Sequence, residues 1–174
     1  MGATKSLSAS LSLMSAISSL KFPFELTKDQ IEAVDAWTTN GYRGSIIYST
    51  GTGKTEIAFE CAKRAAEAWD HNSPFNILFL VPRIVLVQQN INRLIKYGIP
   101  VDRVGAYFGE RKEIREITIS TYQSAISDLD LINNSNMIIF DEVHLVSDTA
   151  TTLRKVLTAA DTKKPLLDRL SSTT

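Results

Sequence analysis

From residue 22 onward, short apolar runs alternate with longer segments whose apolar residues recur at helical spacing. The runs GSIIYS, FNILFLV and NMIIFDEV are short and nearly continuous, which is typical of strands buried on both faces of a sheet. The segment from Lys54 to Trp69 carries one apolar stripe with a period of about 3.6 residues, so it predicts an amphipathic helix. Strands that alternate with helices form parallel sheets with right-handed crossovers. We therefore predict an α/β domain of three layers, α/β/α, with a mainly parallel sheet.

Two further helices have recognisable ends. Thr27 is a suitable N-cap for the segment LTKDQIEAVDAW, in which Ile31, Val34 and Trp37 fall on one face. Gly98 is placed to end the segment RIVLVQQNINRLIKYG, because glycine readily adopts the left-handed conformation that follows many helices. The remaining predicted elements are strands at RVGAYF, EITIST and LLDRLSS, a charged turn at GERKEIR, a short helix at YQSAISDL and a helix at TATTLRKVLTAA.

The start of the chain differs in composition from the rest. The stretch TKSLSASLSLMSAISSL is serine-rich and of low complexity. Lys5 followed by a half-apolar stretch resembles a signal peptide, but serines interrupt the apolar part and no clear cleavage site follows. We therefore predict that residues 1–23 form a disordered or loosely docked lead-in and that residues 24–174 form the domain.

The composition limits the kind of protein. Of the 174 residues, 44% are hydrophobic and 22% are charged, as in an ordinary soluble domain. No apolar run approaches the roughly 20 residues that span a bilayer, so we expect no membrane segment. The single cysteine, Cys61, excludes an internal disulfide, favours an intracellular protein that is not secreted, and is most simply a core residue. The net charge is zero and gives no argument for nucleic acid, although backbone N–H groups, Ser and Thr also bind phosphates.

The stretch YSTGTGKTEI lies between a predicted strand and a predicted helix, which is the setting of a P-loop. Its glycines let the backbone turn sharply and approach an anion, and the helix N-terminus adds partial positive charge. Lys54 would reach the β- and γ-phosphates of a nucleotide, and the hydroxyl of Thr55 would bind Mg²⁺. Tyr48 stands where the strict pattern has glycine, and an ordinary glycine-rich turn with a surface lysine is the alternative. The predicted nucleotide-binding residues of the loop are Ser49, Thr50, Gly51, Thr52, Gly53, Lys54 and Thr55.

The acidic end of the run NMIIFDEV is the second candidate part of a site. Ligands bind at the carboxyl ends of strands in open α/β sheets, which is where Asp141 would emerge. Asp141 would hold Mg²⁺, directly or through water, and Glu142 would orient or deprotonate the attacking water. Together with Lys54, these two acids are the predicted catalytic residues. A solvated helix start, where acidic residues are common, is the alternative. His144 is either a surface histidine or a link between the nucleotide site and neighbouring motifs.

The loop Gly-Thr-Gly-Lys-Thr and the motif Asp-Glu-Val-His together resemble those of superfamily 2 helicases of the DExH type. Over roughly residues 24 to 174, the segments follow the order of that family's first RecA-like domain, and the pattern is similar to its XPB-like branch. The resemblance implies that Gln30 contacts adenine. LVPRIVLVQQ resembles motif Ia, with Arg83 where threonine is common, and ITISTYQSA resembles motif Ib. The residues implied to bind nucleic acid are Pro82, Arg83, Gln89, Ser120 and Thr121. DRLSSTT resembles the strand that leads to motif III, with which Ser172, Thr173 and Thr174 align. The residues implied to take part in coupling are these three and His144.

The resemblance implies an ATP- and Mg²⁺-dependent DNA helicase or translocase, with RNA as the alternative substrate. ATP would lie between this domain and a second RecA-like domain that supplies an arginine finger. Because the sequence ends near motif III, we expect a fragment, whether cloned, proteolytic or encoded by a short gene. Such a fragment would bind nucleotide weakly and hydrolyse it slowly or not at all. Two other functions remain open: another P-loop ATPase or nucleotide kinase, and a non-motor module that binds nucleic acid or a protein partner.

Overall fold

The computed structural model describes residues 14–49, 53–69, 74–141 and 166–172, with only the backbone in 44–49 and 166–172. Short 3₁₀ turns lie at Ala16–Ser19 and Val101–Arg103. The helices are α1 (Lys28–Thr39), α2 (Lys54–Ala68), α3 (Ile84–Lys96), α4 (Tyr122–Ile126) and α5 (Leu129–Asn133). The strands are β1 (Arg43–Ser49), β2 (Ile77–Val81), β3 (Val104–Phe108), β4 (Arg111–Lys112), β5 (Ile117–Thr121), β6 (Met137–Asp141) and β7 (Leu166–Ser172). The helix predicted at TATTLRKVLTAA lies outside the described residues, and the other predicted helices and strands are confirmed.

The described strands form one sheet in the order β1-β7-β6-β2-β5-β3-β4. Neighbouring strands are parallel, apart from β3 and β4, which are antiparallel. The predicted α/β class and mainly parallel sheet are therefore confirmed. The sequence prediction missed β4, because Arg111 and Lys112 lie inside a charged turn and both are exposed. Charged residues on a very short edge strand discourage pairing with another sheet.

The central strands bury side chains on both faces of the sheet. In β6, Ile139 packs in a core that also contains buried residues of α1, α2 and α3. The next residue, Phe140, packs in a second core with residues of α4 and α5. This two-sided burial is the physical reason for the continuous apolar runs, since a strand with one solvated face would alternate. Each fully buried large apolar side chain contributes about 1.5–3 kcal/mol.

The start of α1 follows the predicted capping signal. The Thr27 hydroxyl accepts a hydrogen bond from the Gln30 N–H at 3.2 Å, and Gln30 Oε1 accepts one from the Thr27 N–H at 2.9 Å. This reciprocal pair is a capping box and satisfies two N–H groups at the helix end. Val34 and Trp37 are buried as predicted, but Ile31 is 40% exposed. The prediction was wrong for Ile31 because the buried Gln30 takes the neighbouring inward position.

The predictions for the other two long helices hold. Gly98 follows α3 with a φ of 98°, in the left-handed region. Cys61 is a buried core residue of α2, and its burial raises the pKa of the thiol to about 12. No described helix combines the length and the apolar character that are needed to cross a membrane.

Residues that precede the predicted start of the domain already pack against it. Ala16 and Ile17 are 3% and 2% exposed. The N–H of Ala16 donates to a carboxylate oxygen of Glu116 at 2.6 Å. The expected loose lead-in therefore does not describe residues 14–23, which are held by long-range contacts, whereas residues 1–13 lie outside the described part of the chain.

Candidate nucleotide and nucleic-acid site

Gly53 links the predicted phosphate loop to α2. It is the N-cap of α2 with a φ of 70°, which favours glycine. Its carbonyl accepts the first helical hydrogen bond, from the N–H of Ile57 at 3.0 Å. A Cβ built on Gly53 would lie 1.9 Å from Nε2 of Gln30. Both the backbone conformation and the close neighbour therefore require glycine here. Of the other loop residues, Thr50, Gly51 and Thr52 lie outside the described residues, and Ser49 is described only by its backbone.

Gln30 lies against the loop, as its predicted role requires. Its side-chain Nε2 donates to the Gly53 carbonyl at 3.4 Å, and the residue is 8% exposed. The structure thus brings together two sequence-predicted site residues from different elements. In this conformation the amide bonds to Thr27 at one end and to Gly53 at the other. The contact of Gln30 with adenine stays a prediction.

Lys54 and Thr55 occupy the first turn of α2. Thr55 is 8% exposed, and both residues lie where the helix dipole places partial positive charge. The following residue, Glu56, accepts a hydrogen bond from the Tyr97 hydroxyl at 2.8 Å. Burial, followed by this bond, raises the pKa of Tyr97 to about 12. The acid nearest to the loop is therefore tied to the end of α3.

Asp141 ends the acidic strand β6 and is 2% exposed. In the sheet, β7 lies between β6 and β1, and all three strands are parallel. At the usual spacing of strands, β1 and β6 are about 10 Å apart across the sheet, and the register places Asp141 level with Ile46, three residues before the end of β1. The carboxyl ends of the phosphate-loop strand and of the acidic strand thus meet at one edge of the sheet, as the sequence predicted. Glu142 and His144 lie outside the described residues.

Ser172 is the last residue of β7, the strand that lies between β1 and β6. Its register partner in β1 is Ser49, which directly precedes the loop. The strand predicted to lead to motif III is thus placed beside both parts of the nucleotide site. Thr173 and Thr174 lie outside the described residues, so the coupling role of this segment stays a prediction.

The donor groups fit Mg²⁺. A hydroxyl at Thr55 and a carboxylate at Asp141 are hard oxygen ligands, and Mg²⁺ is usually held by one or two such protein groups together with phosphate oxygens and water. Both side chains are largely buried, so their positions are restricted. Within the described residues there is no cluster of three or more His, Cys, Asp or Glu side chains that would suit a protein-only metal site.

The segment predicted to be motif Ia follows β2 and is accessible. Arg83 is the N-cap of α3 and is exposed, Pro82 is partly exposed, and Gln89 is exposed on α3. Ile84 and Val85 beside them are 56% and 58% exposed. This surface is open to a ligand, and its contact with nucleic acid stays a prediction.

The segment predicted to be motif Ib is enclosed. Ser120 is fully buried, and its hydroxyl donates to the Thr121 carbonyl at 2.9 Å. Thr121 is 8% exposed and caps α4, with its Oγ1 accepting a hydrogen bond from the Ser124 N–H at 3.3 Å. The expectation that Ser120 faces nucleic acid needs correction for this conformation, because its side chain is buried. The Thr121 hydroxyl is used as the N-cap of α4.

Two tyrosines near the site were missed by sequence reasoning. Tyr97 donates to Glu56, and the hydroxyl of Tyr122 donates to the Asp141 carbonyl at 2.7 Å. Both contacts join residues far apart in sequence, so no local pattern marks them. The available signal was their position in the chain. Tyr97 directly follows the helix of the predicted motif Ia, and Tyr122 begins the helix that follows a predicted strand.

A phosphate-loop strand, an interposed strand and an acidic strand define the class of this domain as a RecA-like nucleotide-binding domain. The chain belongs to the family described as type III restriction enzyme, res subunit, whose model matches residues 23–173. The resemblance of the sequence to the first RecA-like domain of superfamily 2 helicases of the XPB-like branch is therefore confirmed.

The chain is 36% identical over 134 residues to "DNA 3'-5' translocase XPB2" of Sulfurisphaera tokodaii, covering 74% of this chain and 28% of the relative. It is 33% identical over 127 residues to "DNA 3'-5' helicase XPB" of Kineococcus radiotolerans, covering 67% of this chain and 21% of the relative. The chain thus spans about a quarter of the length of these curated relatives. The crystal structure of the UvsW helicase from bacteriophage T4 superposes with a TM-score of 0.72 at 17% identity, over 89% of this chain and 56% of that chain. At this identity, the likeness to UvsW shows the fold.

Proposed function

We propose that this domain is the ATP- and Mg²⁺-binding half of a DNA helicase or translocase. The observation that carries the proposal is the strand order β1-β7-β6, which brings the end of the phosphate-loop strand and Asp141 to one edge of the sheet. The names of the relatives, which are a DNA 3'-5' translocase and a DNA 3'-5' helicase, support DNA as the substrate and movement in the 3'-to-5' direction.

Each residue of the site has a role in this proposal. Lys54 would bind the β- and γ-phosphates, and Thr55 and Asp141 would hold Mg²⁺. Glu142 would orient the attacking water. Bound Mg²⁺ would neutralise charge on the phosphates. A second RecA-like domain would add an arginine finger, which is worth roughly 10³–10⁵ in rate, so this domain alone would hydrolyse ATP very slowly.

Nucleic-acid movement would follow from this chemistry. The exposed Arg83 and Gln89 lie on the element that follows β2, the neighbour of the acidic strand. Nucleic acid bound there would contact the same edge of the sheet as the nucleotide. Closing and opening of the two domains around ATP would then move the pair along a strand.

The test is ATP turnover by a longer version of the protein that includes the second RecA-like domain, with and without single-stranded DNA or RNA. We expect strong stimulation by DNA and its loss in Lys54→Ala. Lys63→Ala is the matched control, because Lys63 lies on the same helix but donates to the Leu20 carbonyl at 3.0 Å. ATP turnover that is unchanged by nucleic acid would favour another P-loop ATPase. Stimulation by RNA alone would show that RNA, and not DNA, is the substrate. Nucleic-acid binding without turnover would favour a non-motor module.

A further inference from the structure

Tyr122 connects the segment after β5 to the acidic strand. It is the first residue of α4 and is 2% exposed, and its hydroxyl donates to the Asp141 carbonyl at 2.7 Å. Its ring stacks on that of Phe140, with centroids 6.4 Å apart and planes 16° from parallel. Since Phe140 and Asp141 are the last residues of β6, the tyrosine contacts the carboxyl end of that strand through both its ring and its hydroxyl.

The strand order explains why a long side chain is needed for this contact. β5 and β6 lie on opposite sides of β2, which places them about 10 Å apart. Tyr122 crosses this distance in the core that also contains Leu80 of β2. The register of β2 with β6 runs as far as Leu80 and Phe140. The Asp141 carbonyl comes directly after that pairing, and the tyrosine hydroxyl supplies a donor there.

The hydrogen bond restrains the end of β6. Both Tyr122 and Asp141 are 2% exposed, so water competes poorly for either group. Removing a buried hydrogen bond of this kind typically costs about 0.5–1.5 kcal/mol, so the bond favours this arrangement. Because the Asp141 carbonyl and carboxylate belong to one residue, fixing the first limits where the second can lie. Ligands of a metal ion must be held to within about 0.5 Å.

We infer that Tyr122 is a positioning residue: its hydrogen bond to the Asp141 carbonyl holds the Asp141 carboxylate where it meets the Mg²⁺ of a bound nucleotide. The inference rests on the proposed function, since it uses the Mg²⁺-binding role of Asp141. It adds a residue outside the phosphate loop and the acidic motif to the nucleotide site. It also ties the position of α4, and hence of the segment that begins at Thr121, to the position of Asp141.

Binding of a fluorescent ATP analogue to the 174-residue chain, in Mg²⁺ and in EDTA, tests this. Tyr122→Phe keeps the ring against Phe140 and removes only the hydroxyl. We expect its affinity in Mg²⁺ to fall by up to about tenfold, the factor set by ~1.4 kcal/mol, with the affinity in EDTA unchanged. Tyr107→Phe is the matched control, because Tyr107 lies in the same core and its hydroxyl donates to Asp128 at 2.7 Å. It should keep both affinities.

The variant Asp141→Asn separates the inference from the proposed function. If this variant keeps the full effect of Mg²⁺, the metal role of Asp141 fails and the inference falls with it. If it loses the effect while Tyr122→Phe keeps it, the proposed site stands and the inference is overturned. A fall in both affinities of Tyr122→Phe would show a general loss of structure and would also overturn it.

Hydrogen exchange of the β6 amides gives a readout that needs no nucleotide. Tyr122→Phe should speed exchange at the carboxyl end of β6, because the restraint on Asp141 is lost. Tyr107→Phe should leave exchange there unchanged. Equal exchange in wild type and Tyr122→Phe would contradict the positioning role.

Discussion

Replacing Gly53 with alanine should destabilise the domain more than the same change at another left-handed glycine. Gly53 has a φ of 70°, and an L-residue in this conformation costs about 1–2 kcal/mol. The new Cβ would also lie 1.9 Å from Nε2 of Gln30, so the amide of Gln30 must move. This movement breaks its bond to the Gly53 carbonyl at 3.4 Å and the bond it accepts from the Thr27 N–H at 2.9 Å. Losing these bonds costs about 1 kcal/mol more.

Gly41 is the matched control for backbone strain. Its φ of 73° is nearly the same, and within the part of the chain that the structure describes nothing lies within 4 Å of a Cβ built there. Urea unfolding followed by circular dichroism should therefore show a loss of about 1–2 kcal/mol for Gly41→Ala and about 2–3 kcal/mol for Gly53→Ala. The difference between the two variants isolates the displacement of Gln30.

The variant Gln30→Ala tests the cause of that difference. Without the long side chain, the Cβ at position 53 has no described atom within 4 Å, so Gly53→Ala in this background should cost no more than Gly41→Ala does. Residues in contact give non-additive losses of this kind, which a double-mutant cycle measures. Equal losses for the two glycine variants in the wild-type background would refute the reasoning. So would an excess that persists without Gln30.

Two further predictions concern groups beside the site. Thr27→Ala removes the N-cap of α1 and should lower the free energy of unfolding by about 1 kcal/mol, whereas Thr27→Ser should retain it; equal losses in the two variants would contradict a capping role. The pKa of Tyr97 is raised from its ordinary value of 10.0 to about 12, first by burial and then by its bond to Glu56. The raised pKa means that its contribution to stability is complete below pH 10 and is lost as the pH rises towards 12. The stability difference between wild type and Tyr97→Phe, measured by urea unfolding, should therefore shrink across this interval, and a constant difference would rule out the coupling.

The sheet could be predicted because its physics is local in sequence. Strands such as β2 and β6 are buried on both faces, so nearly every residue in them must be apolar, and the run is visible without knowledge of its neighbours. The helix N-cap at Thr27 and the glycine after α3 are also local signals. The placement of the phosphate loop and of the acidic motif then followed from the rule that ligands bind at the carboxyl ends of parallel strands.

Burial of single residues within a motif could not be predicted in the same way. Ser120 looks like a surface residue by type, yet it is fully buried because both faces of β5 are covered. Ile31 looks like a core residue, yet it is 40% exposed because Gln30 turns inward to Gly53. In both cases the residue type was overruled by the position of a neighbouring element that the local sequence does not contain. The docking of Ile17 has the same origin, since its segment is held by Glu116, far along the chain.

The described side-chain contacts at the nucleotide edge share one property. Gln30 donates to Gly53, Tyr97 donates to Glu56, and Tyr122 donates to Asp141. Each donor comes from a different helix or helix end, and each acceptor lies in or beside a short motif. The motifs alone supply the groups that would touch a nucleotide, but their positions depend on hydrogen bonds from outside them. A chain could therefore keep Lys54 and Asp141 and still bind Mg²⁺–nucleotide poorly after a change at one of these donors. Hydroxyl and amide deletions at the donors are consequently a sharper probe of this site than further changes within the motifs.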